Sequence, residues 1–358
     1  MTWKAKHITQ NNEGMSDKIL IMAGGTGGHI FPALAIAKEL KGRGVIIHWL
    51  GTKQGMENTL VPKHGYQLHR VNSSGIRGKN IATLFKAVFI LTLSFFQTLL
   101  VFIKVRPNQV IGMGGFASGI GGVVAKMLFI PLAIHEQNTI PGTTNIILSR
   151  LARKTFQAFK GSFKAEIGAI TVGNPLSFTA KVKTPPETVK NVLVLGGSLG
   201  SKKINETIAK IKTPVNIWHQ AGKKHLDSTK ALYRNHSGAK LKVEAFIESM
   251  SEAYEWSDVV ICRAGAMTVS ELIATKSIAI LVPFPFAVDD HQTANAKHLT
   301  DVGAGIFLQE NHLNEGAIDE ILQSFDEVTL KIMSDKLETL QQHNPARVIA
   351  DYLLMPKR

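Results

Sequence analysis

Cysteine is nearly absent: Cys262 is the single one among 358 residues. No intramolecular disulfide can form, and no zinc-finger ligand spacing is available. Acidic residues are also short, at 27 Asp and Glu against 41 Lys and Arg, so the formal net charge is +14. Such a balance suits nucleic acid, anionic lipid or phosphorylated ligands. Aromatic residues reach only 7% and make no RNA-binding signature, so nucleic acid is set aside as a partner. The first 17 residues have no apolar core of the kind an export signal needs, and they read as a loose leader. No tandem array of short repeats is present. What the chain does have is an ordinary globular composition, 44% hydrophobic and 19% charged, and enough length for two cores.

One uncharged apolar run stands out, Ala87 to Ile103, flanked by Lys86 and Lys104. Its length is borderline for a membrane-spanning helix. It also reads as a buried helix, or as one lying in a membrane surface with Lys79, Lys86, Lys104 and Arg106 toward lipid phosphates. Spanning would separate the first strands from the rest of their sheet, which counts against it.

The first folded unit opens on an apolar strand, Lys18 to Ala23, then a glycine cluster, then a helix over Phe31 to Leu40. Further strands are expected at Val45 to Leu50, Gln109 to Gly112 and Leu132 to His135. Strands alternating with helices predict a parallel sheet covered on both faces. The opening pattern returns at Asn191 to Leu195, with a glycine turn and a helix from Lys202 to Lys210. Strands then follow at Val215 to His219, Lys242 to Phe246, Asp258 to Cys262 and Ile278 to Val282. The expected class is α/β: two Rossmann-like, doubly wound domains with a cleft between them. The boundaries read as a leader at 1–17, an N-terminal domain at 18–175, a Lys-, Thr- and Pro-rich linker at 176–190 and a C-terminal domain at 191–343. A last helix within 344–358 is expected to pack back on the first domain.

Five constellations carry chemistry. Gly24 to His29 (GGTGGH) puts glycines and free helix amides where a pyrophosphate could sit. It is neither a dinucleotide fingerprint nor a P-loop, since Ile30 replaces the third glycine and no Gly-Lys-Ser/Thr follows. Gly196 to Gly200 (GGSLG) echoes that loop; read literally, it is also a nucleophile elbow that would make Ser198 the nucleophile of a hydrolase. Arg263 to Glu271 (RAGAMTVSE) offers small residues for close approach and a carboxylate one turn on, able to accept from a diol. Thr268 and Glu271 also fit a capping box. His135 to Asn138 (HEQN) ends a strand, where sites form in such sheets. Asp289 to Asn295 supplies amides and imidazole suited to sugar hydroxyls. No Asp-x-Asp pair and no metal-spaced His/Cys cluster is present, so a leaving diphosphate would be met by amides, helix dipoles and basic side chains.

In their order, MAGGTGGHIFPALAIA, GMGG, HEQN, GNP, GGSLG, IWHQAGK, CRAGAMTVSE and DDHQTANA give the chain its likeness. It resembles the MurG family of N-acetylglucosaminyltransferases, in glycosyltransferase family 28, along nearly its whole length after the leader. The resemblance implies a GT-B fold, no metal and no cofactor. It implies inverting transfer of N-acetylglucosamine from UDP-N-acetylglucosamine to the C4 hydroxyl of lipid I, undecaprenyl-diphosphate-MurNAc-pentapeptide, for peptidoglycan synthesis. The donor would meet Glu271 at the ribose and the backbone near Ile247 at the uracil. Ser198 and the turn Ala266, Met267 and Thr268 would contact the diphosphate region, and Val269 and Ser270 would also belong to the donor site. Asn138 and Gln292 would read the sugar, and Thr26, Gly27 and Gly28 would approach from the other domain. The acceptor would lie near Gly114, Gly115 and His135. His29 is the first choice of general base, because its ordinary pKa is near working pH, and Glu136 the second. The resemblance also implies a peripheral position on the cytoplasmic face of the plasma membrane, with an anionic lipid surface and proteins of cell-wall synthesis as partners. One departure is Ser177, where the family commonly has arginine; Lys181 and Lys183 are the candidates to replace it. The rivals are another GT-B transferase acting on a glycolipid, a serine hydrolase and a non-catalytic UDP-sugar sensor.

Overall fold

The computed structural model describes residues 17–73, 81–197, 199–235 and 240–355. Two wholly parallel sheets organise the chain. The first holds Lys18–Met22 (β1), Ile46–Thr52 (β2), Gln67–Val71 (β3), Gln109–Gly112 (β4), Leu132–Glu136 (β5), Lys154–Gln157 (β6) and Ile170–Thr171 (β7), in the order β3-β2-β1-β4-β5-β6-β7. The second holds Asn191–Leu195 (β8), Asn216–Gln220 (β9), Leu241–Glu244 (β10), Val259–Cys262 (β11), Ile278–Leu281 (β12) and Ile306–Phe307 (β13), in the order β10-β9-β8-β11-β12-β13. Each sheet reverses direction beside its first strand: β1 pairs with β2 and β4, and β8 with β9 and β11. That reversal opens a crevice at the carboxyl ends of the strands, where ligands bind in sheets of this kind.

The central strands are apolar on both faces because helices cover both. One core of the first unit joins Ile19, Ile21, Trp49 and Ile111 to the helix Gly27–Lys41 and to Ile349, Ala350 and Leu353 of the last helix, Pro345–Leu353. Arg43, just past the end of Gly27–Lys41, pairs with Asp351 of the last helix at 2.5 Å. The last helix thus lies on the first unit, after the chain has crossed back from the second. The opposite face of the first sheet packs Leu20, Met22, Val110 and Ile134 against Phe102 and Val124. The second sheet has its own continuous core around β8, β11 and β12. Between β7 and β8 the chain runs without helix or strand.

The apolar run belongs to a helix, Ile81–Val105, packed along β3 and along the helix Gly115–Met127. Ala87, Ser94, Thr98, Phe102 and Val105 form its buried stripe. Inward polar groups are satisfied locally: Gln97 Oε1 accepts from the Asn72 amide at 2.9 Å, and the Thr98 hydroxyl donates to the Ser94 carbonyl at 2.7 Å. Packing onto the sheet overturns the spanning reading, because crossing a bilayer would strip that stripe from the domain. The wholly buried reading fails too. Phe89 is 69% exposed, and Val88, Phe96, Leu100 and Ile103 stand out beside it. The neighbouring helix ends in exposed Met127 and in Phe129, which is 92% exposed.

Candidate active site

The corner after β1 is built for close approach. Thr26 is the N-cap of Gly27–Lys41, and no side chain caps that helix, so the amides of its first turn face the crevice. The Gly25 amide donates to Glu57 Oε2 at 3.0 Å, while Glu57 Oε1 accepts from the Thr52 amide and hydroxyl. Glu57 is fully buried and braces the glycine loop from beneath. Sequence reasoning missed it, because an acidic residue in a short helix start carries no local signal.

The corner after β4 faces this one. Gly114 has φ +101°, and a Cβ there would lie 2.9 Å from His29 Cε1. Only glycine fits both that backbone and that approach. Ser118 fixes the turn: its hydroxyl accepts from the Gly114 amide at 3.1 Å and donates to the Met22 carbonyl at 2.6 Å. His29 Nδ1 lies 2.7 Å from Gln137 Oε1. Gly114, Gly115 and His29 are therefore together.

The loop after β5 corrects two expectations. His135 is 0% exposed, with Nε2 on the Gly173 carbonyl at 3.0 Å and Nδ1 on Gln137 Nε2 at 3.0 Å. Its ring faces inward and cannot line an acceptor surface. Burial lowers its pKa to about 4, so it is neutral at working pH. Glu136 is 1% exposed. Its Oε1 accepts from the amide and side chain of Asn138, and its Oε2 from the Gly142 amide and Asn145 Nδ2. A carboxylate so occupied shapes the loop; it has no lone pair left for an incoming hydroxyl and drops out as second base.

The two units meet at the floor of the cleft through amide side chains. Asn174 Nδ2 donates to the Gln137 carbonyl at 3.0 Å and to Ser270 Oγ at 2.9 Å, which spans the cleft. Asn295 Oδ1 accepts from the Thr139 amide at 2.9 Å and hydroxyl at 2.8 Å, and Asn295 Nδ2 donates to the Ala264 carbonyl at 3.2 Å. Loops at the carboxyl ends of the two sheets are thus joined directly at this floor.

On the second unit, the helix Ala266–Thr275 starts from Gly265 with no side-chain cap, so Ala266, Met267 and Thr268 present amides to the gap. Glu271 does not cap this helix. Its Oε2 accepts from the Tyr254 hydroxyl at 2.8 Å, and burial raises its pKa to about 7. The other oxygen has no partner among the described residues. The Val269 side chain is wholly buried in the core and faces no ligand, whereas Ser270 Oγ accepts from Asn174 and keeps its own proton to donate. Ile247 is buried as well, its amide donating to Gln220 Oε1 at 3.0 Å, which leaves its carbonyl. Beside it Phe246 is 47% exposed, an aromatic face that motif reading passed over. Gln292 Oε1 accepts from the Phe284 amide at 3.0 Å, so its Nε2 is the end left for a ligand. Asn138 is half-buried, with its Nδ2 held by Glu136. Ser198 lies outside the described residues.

Arg263 is structural. It donates to the carbonyls of Val282 and Pro283, to Ser201 Oγ at 2.7 Å and to Glu310, and so ties together the loops after β8, β11 and β12. Neither lysine replaces an arginine at Ser177. Lys181 pairs with Glu255 at 2.8 Å on the surface. Lys183 is anchored on the carbonyls of Tyr254 and Ser257, and burial lowers its pKa to about 8.

Two parallel crevices closing on one gap, with uncapped helix starts on both sides, define a two-domain glycosyltransferase of the GT-B class. A solved calicheamicin glycosyltransferase, CalG4, shares this fold with a TM-score of 0.68 over 95% of this chain and 98% of its own, at 16% identity. The chain belongs to glycosyltransferase family 28: the N-terminal domain of that family matches residues 19–157 and its C-terminal domain residues 191–352. A relative from Vesicomyosocius okutanii is 49% identical over 338 residues, 94% of this chain and 98% of its own. It is named UDP-N-acetylglucosamine–N-acetylmuramyl-(pentapeptide) pyrophosphoryl-undecaprenol N-acetylglucosamine transferase. One of the same name from Methylococcus capsulatus is 45% identical over 95% of this chain and 99% of its own. The crystal structure of Acinetobacter baumannii MurG superposes with a TM-score of 0.82 at 34% identity, covering 94% of this chain and 99% of that one. Membership of this family displaces the hydrolase and sensor readings.

Proposed function

We propose that the chain transfers N-acetylglucosamine from UDP-N-acetylglucosamine to the C4 hydroxyl of lipid I, with inversion. The names carried by relatives of near-equal length supply the substrates. The observation that carries the reading is the start of the helix Ala266–Thr275. Amides able to hold a diphosphate lie there one turn before Glu271, whose open oxygen can accept from a ribose diol. Phe246 and the Ile247 carbonyl would take the uracil, and Gln292 Nε2 a sugar hydroxyl. Across the gap His29 takes the proton of the attacking C4 hydroxyl while UDP leaves onto the amides. Purified protein given labelled UDP-N-acetylglucosamine and lipid I, with EDTA present, is expected to form lipid II. No product with EDTA, but product on adding a divalent metal, would overturn the metal-free part. No product under either condition would overturn the acceptor.

The same reading places the enzyme on the membrane as a peripheral protein. The outer side of Ile81–Val105 and the adjoining Met127 and Phe129 form an apolar face, with exposed Lys104, Arg106 and Lys126 on the same two helices and at their ends. Apolar side chains in the interface and cations on lipid phosphates together suit an anionic surface. The double substitution Phe89→Glu and Phe96→Glu is expected to weaken binding to anionic vesicles by about tenfold or more, since each ring loses about 1.5–3 kcal/mol of burial. Turnover of a water-soluble acceptor should stay unchanged. Equal vesicle binding in cosedimentation would remove this face from the account.

A further inference from the structure

Gln137 is 1% exposed and lies between two histidines. Its side chain makes contacts that the proposed chemistry has not used. Nε2 lies 2.9 Å from the His135 carbonyl and 3.0 Å from His135 Nδ1, while Oε1 lies 2.7 Å from His29 Nδ1. The orientation of the amide follows from the carbonyl. An amide oxygen could not sit at that distance from another oxygen with no proton between them, so the NH2 group must face His135. Every proton along the row is then assigned. His135 Nδ1 receives a hydrogen bond from Gln137 and so carries no proton. Its Nε2 carries the proton and donates to the Gly173 carbonyl at 3.0 Å. Burial keeps that ring neutral, so it has one tautomer only. Gln137 Oε1 can only accept, so His29 Nδ1 must be its donor. When that ring is neutral, Nε2 is the nitrogen left with a bare lone pair, and it has no partner among the described residues.

We infer that Gln137 is a positioning residue: it holds His29 with its proton on Nδ1 and thereby makes Nε2 the atom that accepts the proton of the acceptor hydroxyl. This rests on the reading of His29 as general base. Neutral imidazole left to itself distributes its proton between both nitrogens, and the hydrogen bond at one nitrogen decides the other. The row is anchored on two main-chain carbonyls, so it does not depend on a mobile side chain. Its far end is tied to the cleft floor. Gly173 precedes Asn174, which donates to the Gln137 carbonyl and to Ser270 of the other unit. An amide, unlike a carboxylate, selects the tautomer without adding a charge to hold the imidazolium once it forms.

The test compares two substitutions with the intact enzyme. Gln137→Met fills similar volume but offers no acceptor to His29. Gln137→Glu keeps an acceptor toward His29, and its second oxygen must carry a proton to face the His135 carbonyl, so it enters as the neutral acid. The tautomer is read by 15N NMR of histidine-labelled protein, with the His29 signal assigned by its loss in His29→Asn. In the intact protein the His29 signals should show a protonated Nδ1 and a bare Nε2. Gln137→Met should move the proton largely to Nε2 and lower kcat about tenfold or more, with UDP affinity unchanged. Gln137→Glu, as the neutral acid, should keep the proton on Nδ1 and recover part of kcat. A merely structural residue would lose equally in both variants. Intact-type signals in Gln137→Met would overturn the proposal, as would Gln137→Glu performing no better than Gln137→Met. Should the tautomer follow Gln137 while His29→Ala keeps its turnover, the base reading fails and the hydrogen-bond assignment stands.

Discussion

His29→Ala is expected to lower kcat for sugar transfer about a hundredfold or more, the usual cost of removing a general base. Affinity for UDP-N-acetylglucosamine should stay close to that of the intact enzyme. The ring sits in the first turn of Gly27–Lys41, and its contacts are with Gln137 and the Gly114 turn, all on the first unit. The donor groups of the second unit are untouched by the change. Loss of the ring leaves space beside Gly114 without straining its backbone, so the fold should survive. Single-turnover kinetics with titrated donor affinity separates the two quantities. Near-normal turnover with intact donor binding would sink the assignment, and equal losses in kcat and donor affinity would recast His29 as a brace of the glycine loop.

How far these residues were legible in the sequence depended on what their neighbours were. The strands β1, β4, β8, β11 and β12 are central, buried on both faces, and read as unbroken apolar runs. The strands β3 (QLHRV), β6 (KTFQ), β7 and β13 were not foreseen. They lie at or near the edges, where half-exposed and polar side chains break both the apolar run and the alternation. The glycine corners were readable because positive φ and close approach select glycine whatever surrounds it. Side-chain direction was not. HEQN at a strand end marks a site, yet nothing in the string says that His135 and Glu136 turn inward while Gln137 bridges to His29. The directions of His135 and Gln137 are set by partners 38 and 108 residues away in sequence, Gly173 and His29, and that of Glu136 by the fold of the loop that follows it. Likewise the tripeptide GNP gives no hint that Asn174 reaches Ser270, 96 residues on. The apolar helix was ambiguous for a related reason: its composition is apolar nearly all round, and only packing on β3 shows which stripe is inside.

Donor affinity should depend on pH through Glu271. Its carboxyl is held up at about 7 by burial, against an ordinary value of 4.5. A ribose diol donates hydrogen bonds and needs the ionised form as acceptor. Affinity for UDP-N-acetylglucosamine should therefore be full above about 7 and weaken as pH falls through it, approaching tenfold per unit. This donor has no phosphate monoester, so its own diphosphate does not titrate in that window. The free protein has the opposite sign. Because the folded pKa lies above the unfolded one, the contribution of Glu271 to stability is most favourable below about 4.5 and is lost as pH rises toward about 7. Glu271→Gln should flatten both trends, raising the melting temperature of the free protein above neutral pH relative to the intact enzyme. Glu271→Ala removes a charged hydrogen bond worth roughly 1.5–3 kcal/mol, about ten- to a hundredfold in donor affinity. Calorimetric titrations of the three proteins across about pH 5.5 to 8.5 decide it. If Glu271→Gln keeps the slope of the intact enzyme, another group reads the pH, and the diol contact must be moved off this carboxylate.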